Sequence, residues 1–136
     1  MSRENVEIVR AVIERWNTGE RDAAWLVEYC DPAIELVTPF SSVGGEAYTG
    51  YAGVERWMRD VDDQFSVWRI AIEALRSVTD DRVLATVTVA GRGRTSGVDL
   101  NFPSAAIFDF GSDHRVTHMR IYPDRDEALK AVGLEE

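Results

Sequence analysis

Near residue 66 the hydrophobic pattern of this chain changes period, and that change constrains the fold more than any other feature. Before it, Val54, Trp57, Met58, Val61 and Phe65 recur at helical spacing, which predicts an amphipathic helix over 51–65. After it the alternation is two-residue, predicting strands over 67–78, 82–94, 97–110 and 115–122. "TDDR" (79–82), "RTSG" (94–97) and "GSDHR" (111–115) supply the polar turns between them. Strands joined so tightly make an antiparallel sheet. One apolar face of such a sheet must be covered, and the segments that precede it are the available cover.

Those segments read as two more helices and a strand. Val6, Val9, Val12, Ile13 and Trp16 form one stripe over 2–17, with Ser2 placed to cap its start and Gly19 just past its end. A second helix is predicted over 22–30, with Ala23, Leu26, Val27 and Cys30 apolar, and Asp31-Pro32 ending it. "AIELVT" (33–38) alternates as a strand with Ile34, Leu36 and Thr38 on one side; the glycine-rich "PFSSVGGEAYTG" then reads as a mobile loop. Asp124 and Glu127 open a last short helix that Gly133 closes. The expectation is an α+β fold in one domain, 1–136: three N-terminal helices, a curved mixed or antiparallel sheet, and a short C-terminal helix.

Charge narrows the function classes. With 24 acidic against 15 basic side chains the net charge is −9, which repels nucleic acid over most of the surface. No apolar run is long enough for a membrane span and the charged start is unlike a signal peptide, so the cytoplasm is the expected location. Cys30 stands alone and reads as a buried structural thiol. His114 and His118 have no ligand cluster around them, and no glycine-rich phosphate loop follows a strand; neither a metal nor a cofactor is expected.

The last strand decides which chemistry faces inward. "RVTHMRIYPD" puts Val116, His118, Arg120 and Tyr122 on one face and Thr117, Met119 and Ile121 on the other. Pairing "TS" (95–96) as a two-residue hairpin loop sets Arg92 opposite Asp99. Pairing Phe110 with Arg115 sets Ala106 opposite Met119 and Ser104 opposite Ile121. One face then collects Val87, Val89, Leu100, Phe102, Ala106, Phe108, Met119 and Ile121; the other collects Arg92, Asp99, Asn101, His118 and Arg120. Burial favours the first set inward, and His118 outward.

The element order, with "RWNTGERDA", "DPAIELVTP", "YAGVERWM", "RGRTSGVDLNFP" and "HRVTHMRIYPDRDEALKAVGL", resembles the nuclear transport factor 2-like superfamily, and within it the SnoaL-like branch named for a polyketide cyclase. The resemblance implies a cone-like barrel in which the sheet wraps the helices around a pocket. It also implies positions for catalytic groups, and these hold Thr38, Val12 and Ala106 where isomerase relatives carry an acid, a tyrosine and a second acid. Ile121 stands where the cyclases carry theirs. None of the four can shuttle a proton near neutral pH.

What remains is a mostly apolar pocket expected to be walled by Val12, Trp16, Leu36, Thr38, Trp57, Met58, Phe102, Ser104, Met119 and Ile121, with Tyr48 and Tyr51 where the resemblance implies its mouth. The expected occupant is a small hydrophobic molecule, polyketide-like or terpenoid-like, whose cyclisation or isomerisation could be aided by orientation alone. Two other readings stand beside it. One is a noncatalytic association module with its cone filled by side chains; the other is a hydrolase or isomerase using Glu46 or the Arg92–Asp99 pair. The resemblance further implies a homodimer through the outer sheet face, at Thr88, Ala105, Ile107, His118, Arg120 and Tyr122.

Overall fold

In a computed structural model, residues 3–19, 24–38 and 47–133 are described, and every structural statement below concerns them. Helices α1 (Arg3–Asn17) and α2 (Ala24–Tyr29) lead into strand β1 (Cys30–Val37). The two-residue strand β2 (Tyr48–Thr49) precedes helix α3 (Gly50–Gln64). Four long strands follow: β3 (Phe65–Thr79), β4 (Arg82–Gly93), β5 (Asp99–Phe110) and β6 (Val116–Tyr122), then helix α4 (Arg125–Ala131). They form one mixed, curved sheet in the order β2-β1-β6-β5-β4-β3, in which only the β1–β6 pair is parallel. The fold is α+β, with the N-terminal helices and α3 on the concave face.

The period change near residue 66 is the physical junction of α3 and β3. Val54, Trp57, Met58 and Val61 are buried, each at 6% exposure or less, against the sheet; transfer of such side chains from water stabilises by roughly 1.5–3 kcal/mol apiece. Arg94 then closes the helix end by donating to the carbonyls of Asp62 and Phe65. That use of Arg94 corrects the expected two-residue hairpin. The chain leaves β4 at Gly93 and turns through Arg94–Gly97, with Gly97 at φ +67° and its N–H bonded to the Gly93 carbonyl. Arg92 still pairs with Asp99.

Three further expectations are corrected. Cys30 does not end a helix; it opens β1, and Pro32 lies in the irregular stretch where β1 loses register with β6, a place that tolerates a residue without an N–H. Val27, expected on an apolar stripe, is half exposed, and Trp25 takes the buried place beside Leu26. The β5–β6 pairing is offset by two residues: Phe110 faces Val116, and after a register shift Phe108 faces Met119 and Ala106 faces Ile121. Because side chains alternate with a period of two, the offset leaves Met119 and Ile121 inward, whereas the one-residue shift at Phe110 turns Val116, expected on the outer face, into the smaller chamber.

Sheet edge β3 is held by α1 rather than by another strand. The Asn17 side chain donates to the Ile70 carbonyl at 2.8 Å and accepts from its N–H at 2.9 Å, standing in for a neighbouring strand. One residue earlier, Trp16 donates its indole N–H to the Trp68 carbonyl. At the far end of α1 the buried Asn5 donates to the Asp80 carbonyl and meets His114 Nδ1 at 2.9 Å, tying the helix start to two hairpin turns. On the convex face, α4 covers Leu84, Ala105 and Ile107 with Ala128 and Leu129. Among the described residues no helix is long and apolar enough to cross a membrane.

Candidate ligand pocket

Between the concave face and the helices lies a space in two chambers. The larger, about 240 Å³, is bounded by α1, α3 and strands β3 to β6. The smaller, about 50 Å³, lies among α1, α2, α3 and β1. Ile13, Trp57, Ile70, Phe108 and Met119 border both and so form the partition. The larger chamber exists because the residues facing it from mid-sheet are small. Ala85 is paired with Ala106, and Val87 with Ser104, where larger pairs would meet the helices.

Of the expected lining residues, Thr38, Phe102, Ser104 and Ile121 border the larger chamber, Val12, Trp16, Leu36 and Met58 the smaller, and Trp57 and Met119 both. Tyr48 and Tyr51 border neither. The Tyr48 hydroxyl donates to Asp60 at 2.8 Å and the Tyr51 hydroxyl to the Cys30 carbonyl at 2.8 Å, so both fasten the start of α3 to its surroundings. Burial, then the Asp60 contact, raises the Tyr48 pKa. Outside the expected wall list, Trp68, Ile70, Val61 and Ile13 also line the larger chamber, as do the sheet residues around Ala85 and Ala106 and, against the outer-face expectation, Ala105. The period-two spacing of Trp68 and Ile70 in "VWRIAI" was the signal for two of them.

The larger chamber is lined by apolar side chains and two buried hydroxyls, Thr38 and Ser104, with no ionisable side chain among them. Ser104 donates its hydroxyl hydrogen to the Tyr122 carbonyl at 2.9 Å, which leaves its oxygen as an acceptor. Phe65, Trp68 and Phe102 form an aromatic run at one end, with centroid separations of 4.5 and 6.0 Å. Cys30 borders the smaller chamber, and burial pushes its thiol up to about 12, so it holds a proton and packs rather than attacks. Among the described residues no group of three potential metal ligands comes together.

Groups with more reactive chemistry sit elsewhere. Arg92 and Asp99 are paired at 2.7 Å on the exposed side of β4 and β5 and border neither chamber. Glu46 lies outside the described residues. On the convex face, Glu35, His118, Asp109 and Arg82 form one row across four strands, with Glu35–His118 at 3.2 Å and Arg82–Asp109 at 2.6 Å. Of the expected dimer-face residues, His118 and Arg120 are exposed, and Tyr122 lies partly open under the Arg120 guanidinium, 5.3 Å from its ring centroid. Thr88 donates to Glu73. Ala105 and Ile107 are 1% and 5% exposed beneath α4, so the chain's own helix occupies that part of the face.

Residues 9–119 match the SnoaL-like domain. The chain belongs to the SnoaL-like family. None of the curated proteins compared matches it. Solved structures of the same fold include an NTF2-like protein of unknown function from Burkholderia pseudomallei K96243. It is 18% identical with TM-score 0.76, over 94% of this chain and 96% of that one. TerC, co-crystallized with polyporic acid, is 19% identical with TM-score 0.75, over 95% and 98%. A protein from Catenulispora acidiphila DSM 44928 with a ketosteroid isomerase-like fold, in complex with trimethylamine, is 17% identical with TM-score 0.74, over 98% and 95%. Likeness at that level concerns the fold. Of the four positions where the resemblance implies catalytic groups, Thr38, Ala106 and Ile121 border the larger chamber and Val12 the smaller.

Proposed function

We propose that this SnoaL-like protein binds a small hydrophobic molecule, polyketide-like or terpenoid-like, in the larger chamber, and acts on it by orientation rather than by proton transfer. The observation that carries this reading is the chamber itself: about 240 Å³ of space within largely apolar walls. A cone filled by its own side chains, as an association module would have, leaves no such volume. The reading is tested by titrating the protein with naphthalene while following tryptophan fluorescence, since Trp57 and Trp68 line the chamber. Saturable quenching that weakens in Ala106→Leu supports it. Absence of saturation up to the solubility limit rejects it.

We propose further that the protein is a homodimer through the part of the convex face that α4 leaves open. The row Glu35, His118, Asp109, Arg82 supports this, because reversing it about a two-fold axis sets Glu35 against Arg82 and His118 against Asp109 in the second copy. Each facing pair is then opposite in sign once His118 is protonated. Sedimentation velocity should show a dimer that Glu35→Arg dissociates and that Glu35→Arg with Arg82→Glu restores. A monomer at all concentrations rejects the proposal. Cytoplasmic location is part of the same reading and rests on composition alone.

A further inference from the structure

The larger chamber has a size, a charge and one unmet hydrogen bond, and together they describe an occupant more narrowly than "hydrophobic". The inference rests on the ligand-binding reading above and deepens it.

Size comes first. An apolar cavity of about 150 Å³ holds one benzene. On that scale the chamber's 240 Å³ accommodates about ten heavy atoms. That is two fused six-membered rings. The smaller chamber lies beyond the shared wall of Ile13, Trp57 and Met119 and adds about 50 Å³. A four-ring skeleton does not fit without displacing the partition.

Charge comes next. No lining side chain of the larger chamber is ionisable, so a carboxylate or ammonium entering it would lose its hydration with nothing to replace it. The occupant is therefore neutral.

The hydrogen bond is the third constraint. Trp57 is 94% buried, being 6% exposed, and it borders both chambers with its ring stacked on Trp16 at 4.7 Å. Trp16 spends its N–H on the Trp68 carbonyl, whereas Trp57 has no hydrogen-bond partner among the described residues. The fully buried side-chain N–H left unpaired among them belongs to Trp25, so the Trp57 N–H retains some accessible surface, and the Trp57 side chain borders both chambers. Ser104, with its hydrogen committed to Tyr122, does not compete as a donor. An unpaired donor beside an otherwise apolar chamber favours a ligand that carries an acceptor over one that does not.

We infer that the larger chamber takes a neutral two-ring molecule bearing one carbonyl oxygen, and that the Trp57 indole N–H donates to that oxygen.

The test compares 1-tetralone with tetralin, which share the two-ring frame and differ by the carbonyl, on the full chain and on Trp57→Phe. Binding is measured by ligand-observed NMR, so that loss of an indole does not remove the signal, and melting temperature confirms that the variant is folded. The wild-type protein is expected to prefer 1-tetralone about tenfold, the scale of one well-made hydrogen bond. In Trp57→Phe the preference should fall to about one. A wild-type preference that survives in Trp57→Phe overturns the role of Trp57. Equal wild-type affinities overturn the carbonyl while leaving the hydrophobic-binding reading intact. A four-ring ketone binding as well as 1-tetralone overturns the size limit. Failure of both two-ring compounds to bind rejects this inference together with the reading beneath it.

Discussion

Replacing Ala106 by leucine should stabilise the protein, and the sign of that effect tests the chamber without any ligand. Ala106 sits mid-sheet on the concave face, paired with Ala85 on one side and Ile121 on the other, and it borders the larger chamber. Leucine adds three carbons. They need about half the ~150 Å³ that holds benzene, well within the 240 Å³ present. Burying them contributes roughly 2.4 kcal/mol at about 0.8 kcal/mol per methylene-sized group. Fixing the leucine rotamer costs about 0.5–1 kcal/mol. The net is a gain of about 1.5 kcal/mol, or some 4–6 °C in melting temperature for a chain of this size. In a filled core the same change would cost about 1–3 kcal/mol through overpacking. Urea denaturation with an unchanged m-value separates the two outcomes. A loss of 1 kcal/mol or more would show that side chains close the space, and the ligand-binding reading would fall with it.

Other perturbations follow from single contacts. Asn17→Ala removes both bonds to Ile70 and leaves that backbone unpaired at the sheet edge; a loss of roughly 2 kcal/mol in urea denaturation is expected, and a loss under 0.5 kcal/mol would mean water replaces the side chain at no cost. Cys30, with its thiol pushed up to about 12, should resist a thiol-labelling reagent at pH 8 in the folded protein and react on denaturation; labelling of the native state at the unfolded rate contradicts its burial. Glu73 has its pKa lowered by the Thr88 hydroxyl first and then by Arg125. A carboxylate with a depressed folded pKa adds stability above its unfolded pKa and loses it as pH falls through the folded value. Stability measured below about pH 4.5 should therefore decline less steeply in Arg125→Ala than in the wild type, and parallel profiles would remove Arg125 from that account.

How much of the pocket could be read beforehand depended on which residues obey a period. Phe102, Ser104, Met119 and Ile121 lie on strands with strict alternation, so one choice of face placed them all. Trp57 and Met58 followed from the helical stripe in the same way. Tyr48 and Tyr51 fall at a pocket mouth only by resemblance, and the structure uses their hydroxyls to hold α3 instead. Asn5 and Asn17 carried no signal, because each serves a backbone group more than 50 residues away and no local pattern encodes that partner. Ala105 and Ile107 fall on a dimer face only by resemblance; in the structure α4 covers both within the chain.

The register of the last hairpin shows why face is more robust than pairing. The expected pairing was wrong by two residues, one from matching Phe110 to Arg115 rather than Val116 and one from the irregularity before Asp109. An error of one would have turned Met119 and Ile121 to solvent and His118 inward, giving the opposite chemistry. Such a slip would expose Phe102 and Phe108 relative to their partners or bury Arg120 and His118 without compensation, and either costs several kcal/mol by the usual measures of apolar and ionic transfer. A slip of two carries no such penalty from face exchange, so turn geometry decides it. Here His114, at φ 60°, and the Gly111–Arg115 bond make that turn. Hydrophobic patterning therefore specifies what faces the chamber, and the turn specifies which inward residues become neighbours. Ala106 meets Ile121 instead of Met119 for that reason.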